Sequence, residues 1–456
     1  MRTAILLFTR DLRVHDQPAL AAAVEAAEQV VPLFVFDRAV LERFGVPNRA
    51  AFLLDSLRDL GASLRERGGA LVVREGEVVR ETMRLAEESD ADAIFLSEDV
   101  SAYAQARERR LRRACDERRI ELRALPGVTV IPPGGLAPAA ADHYRVFTPY
   151  WRQWRSAPRR PLLVPPGRIA VPSDLRRGRL PTLVDLAPGA RSPELPRGGE
   201  REGRRRLARW LGRGLPNYGR LHDDLSADAT SRLSPFLHFG CVSPLEVVER
   251  ASRRGGAEPF VRQLAWRDFY TQLLAANPET PLKDFRPRGD RWRKDKEALA
   301  AWKDGRTGYP VVDAGMRQLA REGFLHNRAR LITASFLTKD LYLDWRLGAA
   351  HYFDLLLDGD VANNVGNWQW VAGTGVDTRP NRIFNPTAQA KRFDPNGDYV
   401  RRYVPELAEV EGGAVHEPWR LGLLRPPDYP EPMVDHAEAV VRFRAARSRS
   451  SFRTRG

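Results

Sequence analysis

Across the first 128 residues, short apolar or β-branched runs alternate with longer stretches whose apolar residues recur at helical spacing. Residues 4–8, 30–36, 70–73 and 93–96 read as strands, and 18–27, 48–67, 75–88 and 102–118 as amphipathic helices between them. Alternation at this pitch predicts a Rossmann-like α/β domain over 1–128, a parallel sheet with crossover helices. No Gly-x-Gly-x-x-Gly follows the first strand, so a dinucleotide fingerprint is not supported there. A ligand can still sit at the carboxyl edge of an open α/β sheet. Between 126 and 196 the pattern breaks: fourteen prolines and little periodicity predict a long, ordered connection, assigned to 129–197. Its one aromatic knot, Phe147-Thr148-Pro149-Tyr150-Trp151-Arg152-Gln153-Trp154, reads as packed on a domain surface. From Gly198 helical periodicity dominates, with 201–211, 244–254, 259–274, 294–302, 311–322, 327–339 and 346–356 the clearest helices. No strand is convincing there, which predicts an all-α domain over 198–445 and leaves 446–456 as a basic, disordered tail.

Composition changes the picture in three places. A chain of 456 residues has room for two or three domains and a large core. It has no run of eighteen apolar residues and no secretory leader, so the default is a cytoplasmic protein with no membrane segment. Cys115 and Cys241 are the only cysteines, which excludes a disulfide framework and an all-cysteine metal or iron–sulfur site. The net charge of +14 points to a polyanionic partner, most simply nucleic acid, although an arginine-rich composition drawn from a GC-rich genome gives the same excess.

Four stretches carry candidate chemistry. Residues 358–370 hold two aspartates, three asparagines and two tryptophans, poor composition for a core and odd for a surface. Read as a helix from Asp360, positions 360, 364 and 368 form one stripe, and 363, 367 and 370 cluster on the neighbouring face. The plain alternative is an N-cap aspartate followed by a tryptophan-anchored core helix. In Asp228-Ala229-Thr230-Ser231-Arg232-Leu233-Ser234-Pro235, Ser234 as N-cap and Pro235 as N1 predict a helix start. The surrounding hydroxyls and arginine make that start a phosphate seat. Gln263, Trp266, Arg267 and Tyr270 share one helix face, where a core stripe would be aliphatic, and so read as a ligand surface. On the helix opened by His326-Asn327-Arg328, Arg330 needs a carboxylate, with Asp358 and Asp360 the candidates. Trp292, Trp345 and Trp368 are scattered through the helical region, and spacing alone does not align them.

These motifs, in order with Trp-Arg-Asp-Phe-Tyr, Thr-Gly-Tyr-Pro-Val-Val-Asp-Ala-Gly-Met-Arg-Gln-Leu, His-Asn-Arg-Ala-Arg, Ser-Phe-Leu-Thr-Lys, Asn-Trp-Gln-Trp and Arg-Ile-Phe-Asn-Pro, span nearly the whole chain. Together they resemble the photolyase/cryptochrome flavoprotein family, closest to bacterial class I photolyases of cyclobutane pyrimidine dimers. The resemblance implies a monomeric enzyme acting on UV-damaged DNA, with FAD in the helical domain. It assigns Tyr218, Thr230, Ser231, Arg232, Leu233, Ser234 and Arg267 to the cofactor's phosphates and their surroundings. Asp358 and Arg330 match a salt bridge beside the flavin ring, Asp360 a ligand of its polar edge or ribityl chain, and Asn364 the amide facing N5. Trp292, Trp345 and Trp368 match the electron relay. Trp266 and Trp370 match the indoles that sandwich a flipped-out dimer, and Asn327 and Arg382 match lesion and backbone contacts. Two positions depart from the pattern: Gln263 stands where a glutamate is usual, and Leu331 replaces a methionine over the lesion.

The same resemblance leaves a cryptochrome-type photoreceptor without repair activity as the alternative. The short tail, Asn364 and both pocket tryptophans favour the enzyme. A six-four photolyase would show histidines where Asn327 and Leu331 stand. For the antenna, residues 97–110 lack the Asn-Glu pair that goes with methenyltetrahydrofolate, and resemble the 8-hydroxy-5-deazaflavin type, with Asp99 and Arg49 as contacts.

Overall fold

The computed structural model describes the backbone of residues 1–453 and the side chains of all of these except 43, 44 and 449–453. Five strands, β1 (Thr3–Leu7), β2 (Gln29–Asp37), β3 (Val72–Gly76), β4 (Ala93–Ser97) and β5 (Glu121–Leu125), form one sheet in the order β3-β2-β1-β4-β5. All neighbours are parallel; Ile5 of β1 lies between Val31 and Ile94. β1 and β4 are buried at every position, which is why they read as unbroken apolar runs and not as alternating ones. β5 was not anticipated. It is an edge strand, Glu-Leu-Arg-Ala-Leu, whose exposed Glu121 and Arg123 break the apolar run and discourage further pairing.

The crossover helices Pro18–Ala26, Pro47–Arg65, Val78–Glu88 and Ala102–Arg118 stand where the periodicity places them. The third starts three residues late because Glu77 caps it, accepting from the N–H groups of Val79 at 3.1 Å and Arg80 at 2.9 Å.

Chain contacts divide the protein into two compact units. The first takes in Met1–Arg191, Pro196–Gly219 and Ser231–Pro278; the second takes in Ser192–Leu195, Arg220–Thr230 and the chain from Glu279 onward. In the first unit the sheet is tied to helices that follow the proline-rich connection. Glu200, which opens the helix Glu200–Arg213, accepts the backbone N–H groups of Val14 at 2.8 Å and His15 at 3.0 Å. Arg13, 1 % exposed, donates to the carbonyls of Asp16, Gly127 and Gly240. The proline-rich connection is held by Asp268 of the helix Glu258–Ala276: its Oδ2 accepts from Val130 N–H at 2.9 Å, Ile131 N–H at 3.0 Å and the Trp154 indole at 2.9 Å.

The second unit is helical: Lys296–Lys303, Pro310–Glu322, Asn327–Ser335, Trp345–Leu355, Val361–Ala372, Pro386–Phe393, Asp398–Tyr403 and His436–Arg453. Its core includes Trp302, Met316, Trp345, Tyr352 and Trp368. The helix read as 327–339 stops at Ser335 and passes into a π-helical turn, Phe336–Asp340. The basic tail reads differently at its start. The helix His436–Arg453 runs into this stretch, and 454–456 lie outside the described residues. The cause is Arg447, whose guanidinium is buried on the Asp290 carboxylate at 2.7 Å and lies over the Phe443 ring.

Asp268 gives this architecture a pH signature. Burial lifts its carboxyl to about 6, outweighing the nearby Arg267 charge and the hydrogen bonds it accepts. A folded-state value above the unfolded one, about 3.9, means that folding favours the protonated acid. This contribution is therefore complete below about pH 4 and is lost as pH rises through about 6, with a ceiling of roughly 3 kcal/mol. Asp268→Asn is expected to flatten the decline of the urea-unfolding midpoint over that window; an unchanged slope contradicts the assignment.

Candidate functional site

The helix Val361–Ala372 exists because both its ends are closed. Asp360 is the N-cap, its Oδ1 accepting from the Asn363 N–H at 2.9 Å and the Asn363 side-chain amide at 2.8 Å. Gly373, with φ of +79°, supplies the left-handed exit. Gln369, 2 % exposed and unremarked in the sequence, clamps the segment ahead: its amide accepts from Phe285 N–H at 2.8 Å and donates to the Thr280 and Lys283 carbonyls. The plain reading of a capped, tryptophan-anchored helix thus describes how it is built. What it presents is the two faces read from its spacing. Asp360, Asn364 and Trp368 are buried, while Asn363, Asn367 and Trp370 are half-buried on the adjoining face.

Asn364 donates its amide N–H to the Ala349 carbonyl at 3.1 Å, which leaves the side-chain oxygen as an acceptor. Of the two carboxylates offered to Arg330, Asp358 is the partner, with both oxygens within 3.0 Å of Nη2. Arg330 also donates to the Leu325 carbonyl at 2.9 Å, so the guanidinium is fixed from two sides. Asn327 is exposed at the start of the helix Asn327–Ser335, and Leu331, one turn on, is half-buried against the core. Arg382 is exposed and places its guanidinium 5.3 Å from the centre of the Trp370 ring.

The three scattered tryptophans fall on linked elements of the second unit. Trp368 packs against the helix Trp345–Leu355 at Gly348, where a Cβ would stand 2.1 Å from its ring, one turn beyond Trp345. Trp345 is fully buried, with its indole N–H on Asp284 at 2.9 Å. Trp292 is half-buried, and a β-bridge from Arg293 to Leu343 sets it beside the start of the same helix. Exposure therefore rises from Trp368 and Trp345 to Trp292. Sequence reading missed the other neighbours of Trp368, namely Tyr352 at 4.9 Å and Trp302 at 6.1 Å between ring centres. Nothing but aromatic density marked them.

The hydroxyl-rich turn bends through two left-handed residues, Asp228 at φ +45° and Arg232 at φ +49°. The helix that follows is Ser234–His238, and the cap position belongs to Leu233, not Ser234; the Ser231 hydroxyl accepts from the Leu233 N–H instead. The Thr230 hydroxyl is buried with no hydrogen-bond partner. So is the Trp368 indole N–H.

In the first unit, the face of Gln263, Trp266, Arg267 and Tyr270 divides. Gln263 is exposed, and Tyr270 is buried as packing. Trp266 is half-buried and stacks one ring face on Phe147, centres 3.6 Å apart and planes 8° from parallel. Phe147 comes from the aromatic knot of the connection, now the helix Phe147–Ser156. Arg267 donates to the Val128 carbonyl at 2.6 Å. Tyr218 is buried, its ring edge-on to Trp210 and Phe260.

Strand order reverses between β1 and β4, the place where open sheets leave a crevice at their carboxyl ends. Asp99 lies just beyond β4, paired with Arg10 from beyond β1 at 3.3 Å. Arg49, buried, belongs to the first turn of the helix Pro47–Arg65 that follows β2.

Comparison with known proteins adds the following. The family described as the FAD binding domain of DNA photolyase matches residues 260–449, and the family described as DNA photolyase matches residues 4–167. A deoxyribodipyrimidine photo-lyase of Streptomyces griseus is 54% identical over 98% of this chain and 99% of its own length. A class III photolyase of Agrobacterium tumefaciens has the same fold with a TM-score of 0.92 at 33% identity, covering 99% of this chain and 98% of that one. An archaeal photolyase of Sulfolobus tokodaii, solved with two FAD molecules, gives a TM-score of 0.87 at 32% identity, over 98% and 100%.

The contact at Gly348 sets a sign. Glycine to alanine inside a helix normally stabilises by about 0.5–1 kcal/mol. Gly348→Ala is expected to destabilise by about 1–3 kcal/mol and to shift the tryptophan fluorescence, because its methyl meets the buried Trp368 ring. Gly212→Ala, with open space around it in the helix Glu200–Arg213, is the control expected to stabilise. Thermal unfolding of both variants checks this; a gain at both positions contradicts the packing.

Proposed function

Since the chain belongs to the photolyase/cryptochrome family, we propose that it is a DNA-repair enzyme that splits cyclobutane pyrimidine dimers with light. The observation that carries the reading is the helix Val361–Ala372, which brings Asp360, Asn364, Trp368 and Trp370 onto two adjoining faces of one rigid element.

The residues fit an FAD. A buried hydroxyl without a partner costs about 1–3 kcal/mol, and Thr230 has one at a turn whose backbone is bent through two left-handed residues. A phosphate oxygen satisfies such a group. In this reading Thr230, Ser231, Arg232, Leu233 and Ser234 hold the pyrophosphate, with Arg267 and Tyr218 alongside. The Arg330–Asp358 pair flanks the isoalloxazine, Asp360 binds its polar edge or ribityl chain, and Asn364 offers its neutral amide near N5. When bound, the reduced flavin supplies the light-driven electron that opens the cyclobutane ring.

The chain's own part is to position, to conduct and to exclude water. Buried Trp368 and Trp345 and half-buried Trp292 form the path by which electrons enter. Trp266 and Trp370 offer indole faces to an extruded lesion, as chemistry on a base within a duplex requires. Phe147 already covers one face of Trp266, with the Tyr270 ring a further 5.6 Å neighbour. Arg382 and Asn327, both exposed, meet the DNA backbone and lesion; Leu331 supplies apolar contact and Gln263 hydrogen bonds to the base carbonyls. The net charge of +14 adds sequence-independent affinity that falls with salt. An antenna of the 8-hydroxy-5-deazaflavin type, with methenyltetrahydrofolate as the alternative, sits at the carboxyl edge of the sheet near Asp99 and Arg49.

The test is irradiation of the purified, reduced protein with oligonucleotides carrying a cyclobutane dimer or a six-four photoproduct, followed by chromatography. The dimer is expected to revert and the six-four product to persist. If neither lesion is repaired, the enzyme reading fails and a photoreceptor remains. Gln263→Glu is expected to raise the quantum yield, since a carboxylic acid can hand a proton to the dimer radical anion and an amide cannot; no change or a fall contradicts that role.

A further inference from the structure

The aromatic knot of the proline-rich connection has been given no role beyond contact. Its Phe147 is 6 % exposed and opens the helix Phe147–Ser156. The ring meets the Trp266 indole nearly face to face, centres 3.6 Å apart and planes 8° from parallel. Unconstrained aromatic pairs prefer offset or edge-to-face arrangements with centres about 4.5–7 Å apart. Phe147 keeps to that range with its other neighbours, Phe269 at 5.6 Å and 81° and Tyr150 at 6.5 Å and 42°. The full overlap with Trp266 is therefore imposed by the scaffold.

Two clamps impose it, both on the helix Glu258–Ala276 that carries Trp266. Gln272 accepts the Tyr144 N–H at 3.1 Å and donates to the Tyr144 carbonyl at 2.7 Å, which fixes the backbone just ahead of Phe147. Asp268 accepts the Trp154 indole N–H at 2.9 Å, which fixes the helix Phe147–Ser156 farther along. Both clamp residues are buried, so water does not compete for these bonds. Trp266 itself is half-buried. Phe269, edge-on at 5.5 Å, and Tyr270, at 5.6 Å, also border the indole, but both ride on its own helix. Phe147 reaches it from the connection, and a parallel ring at van der Waals distance blocks rotation of the indole on that side.

We propose that Phe147 is a positioning residue for lesion recognition, holding Trp266 in the orientation that meets an extruded dimer. The inference rests on the lesion reading of Trp266. An ordinary core pair would bury both rings; here the buried ring belongs to the connection, and the accessible one is the indole assigned to the lesion. An indole ordered in advance loses no rotamer freedom when the lesion arrives. Ordering one such side chain only on binding weakens a complex by about 2- to 12-fold. Undamaged duplex, held through its phosphates with its bases stacked, does not draw on Trp266. Discrimination between damaged and undamaged DNA thus depends on a segment that otherwise connects the sheet to the helices.

The experiment compares flavin-loaded wild type with Phe147→Ala and with Phe147→Leu, which keeps apolar bulk without a flat ring. Binding to a duplex with one cyclobutane dimer and to the same duplex undamaged is measured in the dark. Affinity for the dimer is expected to fall about 2- to 12-fold in both variants. Affinity for undamaged DNA and the repair rate at saturating DNA are expected to stay as in wild type. Fluorine magnetic resonance on fluorotryptophan-labelled protein reads the indole itself, the signal lost in Trp266→Phe assigning Trp266. That signal is expected to broaden or split in Phe147→Leu and to sharpen again with dimer DNA bound. A Trp266 signal as sharp in Phe147→Leu as in wild type overturns the proposal, as does unchanged discrimination in both variants. Should Trp266→Ala itself discriminate as well as wild type, the lesion reading of Trp266 fails and the proposal falls with it. The fluorine spectra keep the two failures apart, because they report the order of the indole whatever binds there.

Discussion

The second unit depends on how the helix Val361–Ala372 is held at its carboxyl end. The last carbonyl, that of Ala372, accepts from Lys339 Nζ at 2.8 Å and from Arg447 Nη2 at 2.7 Å. Lys339 is 1 % exposed, and its burial together with the Arg447 charge pulls its ammonium well below the usual lysine range. Two cations at one buried carbonyl are costly to desolvate. They are tolerated because a helix C-terminus carries partial negative charge and unpaired carbonyls, and because Asp290 balances Arg447. The Asp360 cap fixes the other end. Between these two anchors Asn364, Trp368 and Trp370 have no freedom to slide, and a reacting site needs such support from its scaffold.

The same anchoring explains why the carboxyl-terminal helix is ordered despite its charge. Its arginine run serves the fold through Arg447 and Phe443, which also lies 4.3 Å from Lys339 Nζ. In the first unit Asp268 does the equivalent work. One carboxylate oxygen gathers three N–H donors from the proline-rich connection, and the connection in turn brings Phe147 to Trp266.

How much of this was legible in the sequence depended on the range of the interaction involved. The strands β1 to β4 and their crossover helices are local patterns, and periodicity places them. β5 escaped because an edge strand is amphiphilic and carries charge. The stripe of Asp360, Asn364 and Trp368 was legible because helical geometry is regular, and Arg330 called for a carboxylate because a half-buried guanidinium needs one. What spacing does not encode is which ring meets which: Phe147 on Trp266 and Tyr352 on Trp368 both join residues distant in sequence. The Leu233 cap was misread because a hydroxyl has a common local meaning that tertiary contacts override here.

The central claim is that the helix Val361–Ala372 both seats the flavin and admits electrons to it through Trp368. Its most direct test is light-driven reduction of the oxidised, flavin-loaded Trp368→Phe variant, compared with dimer repair by the same protein after chemical reduction. Photoreduction is expected to be lost while repair by the chemically reduced variant persists. Photoreduction at the wild-type rate would contradict it, since electrons would then enter by a path that does not use this helix.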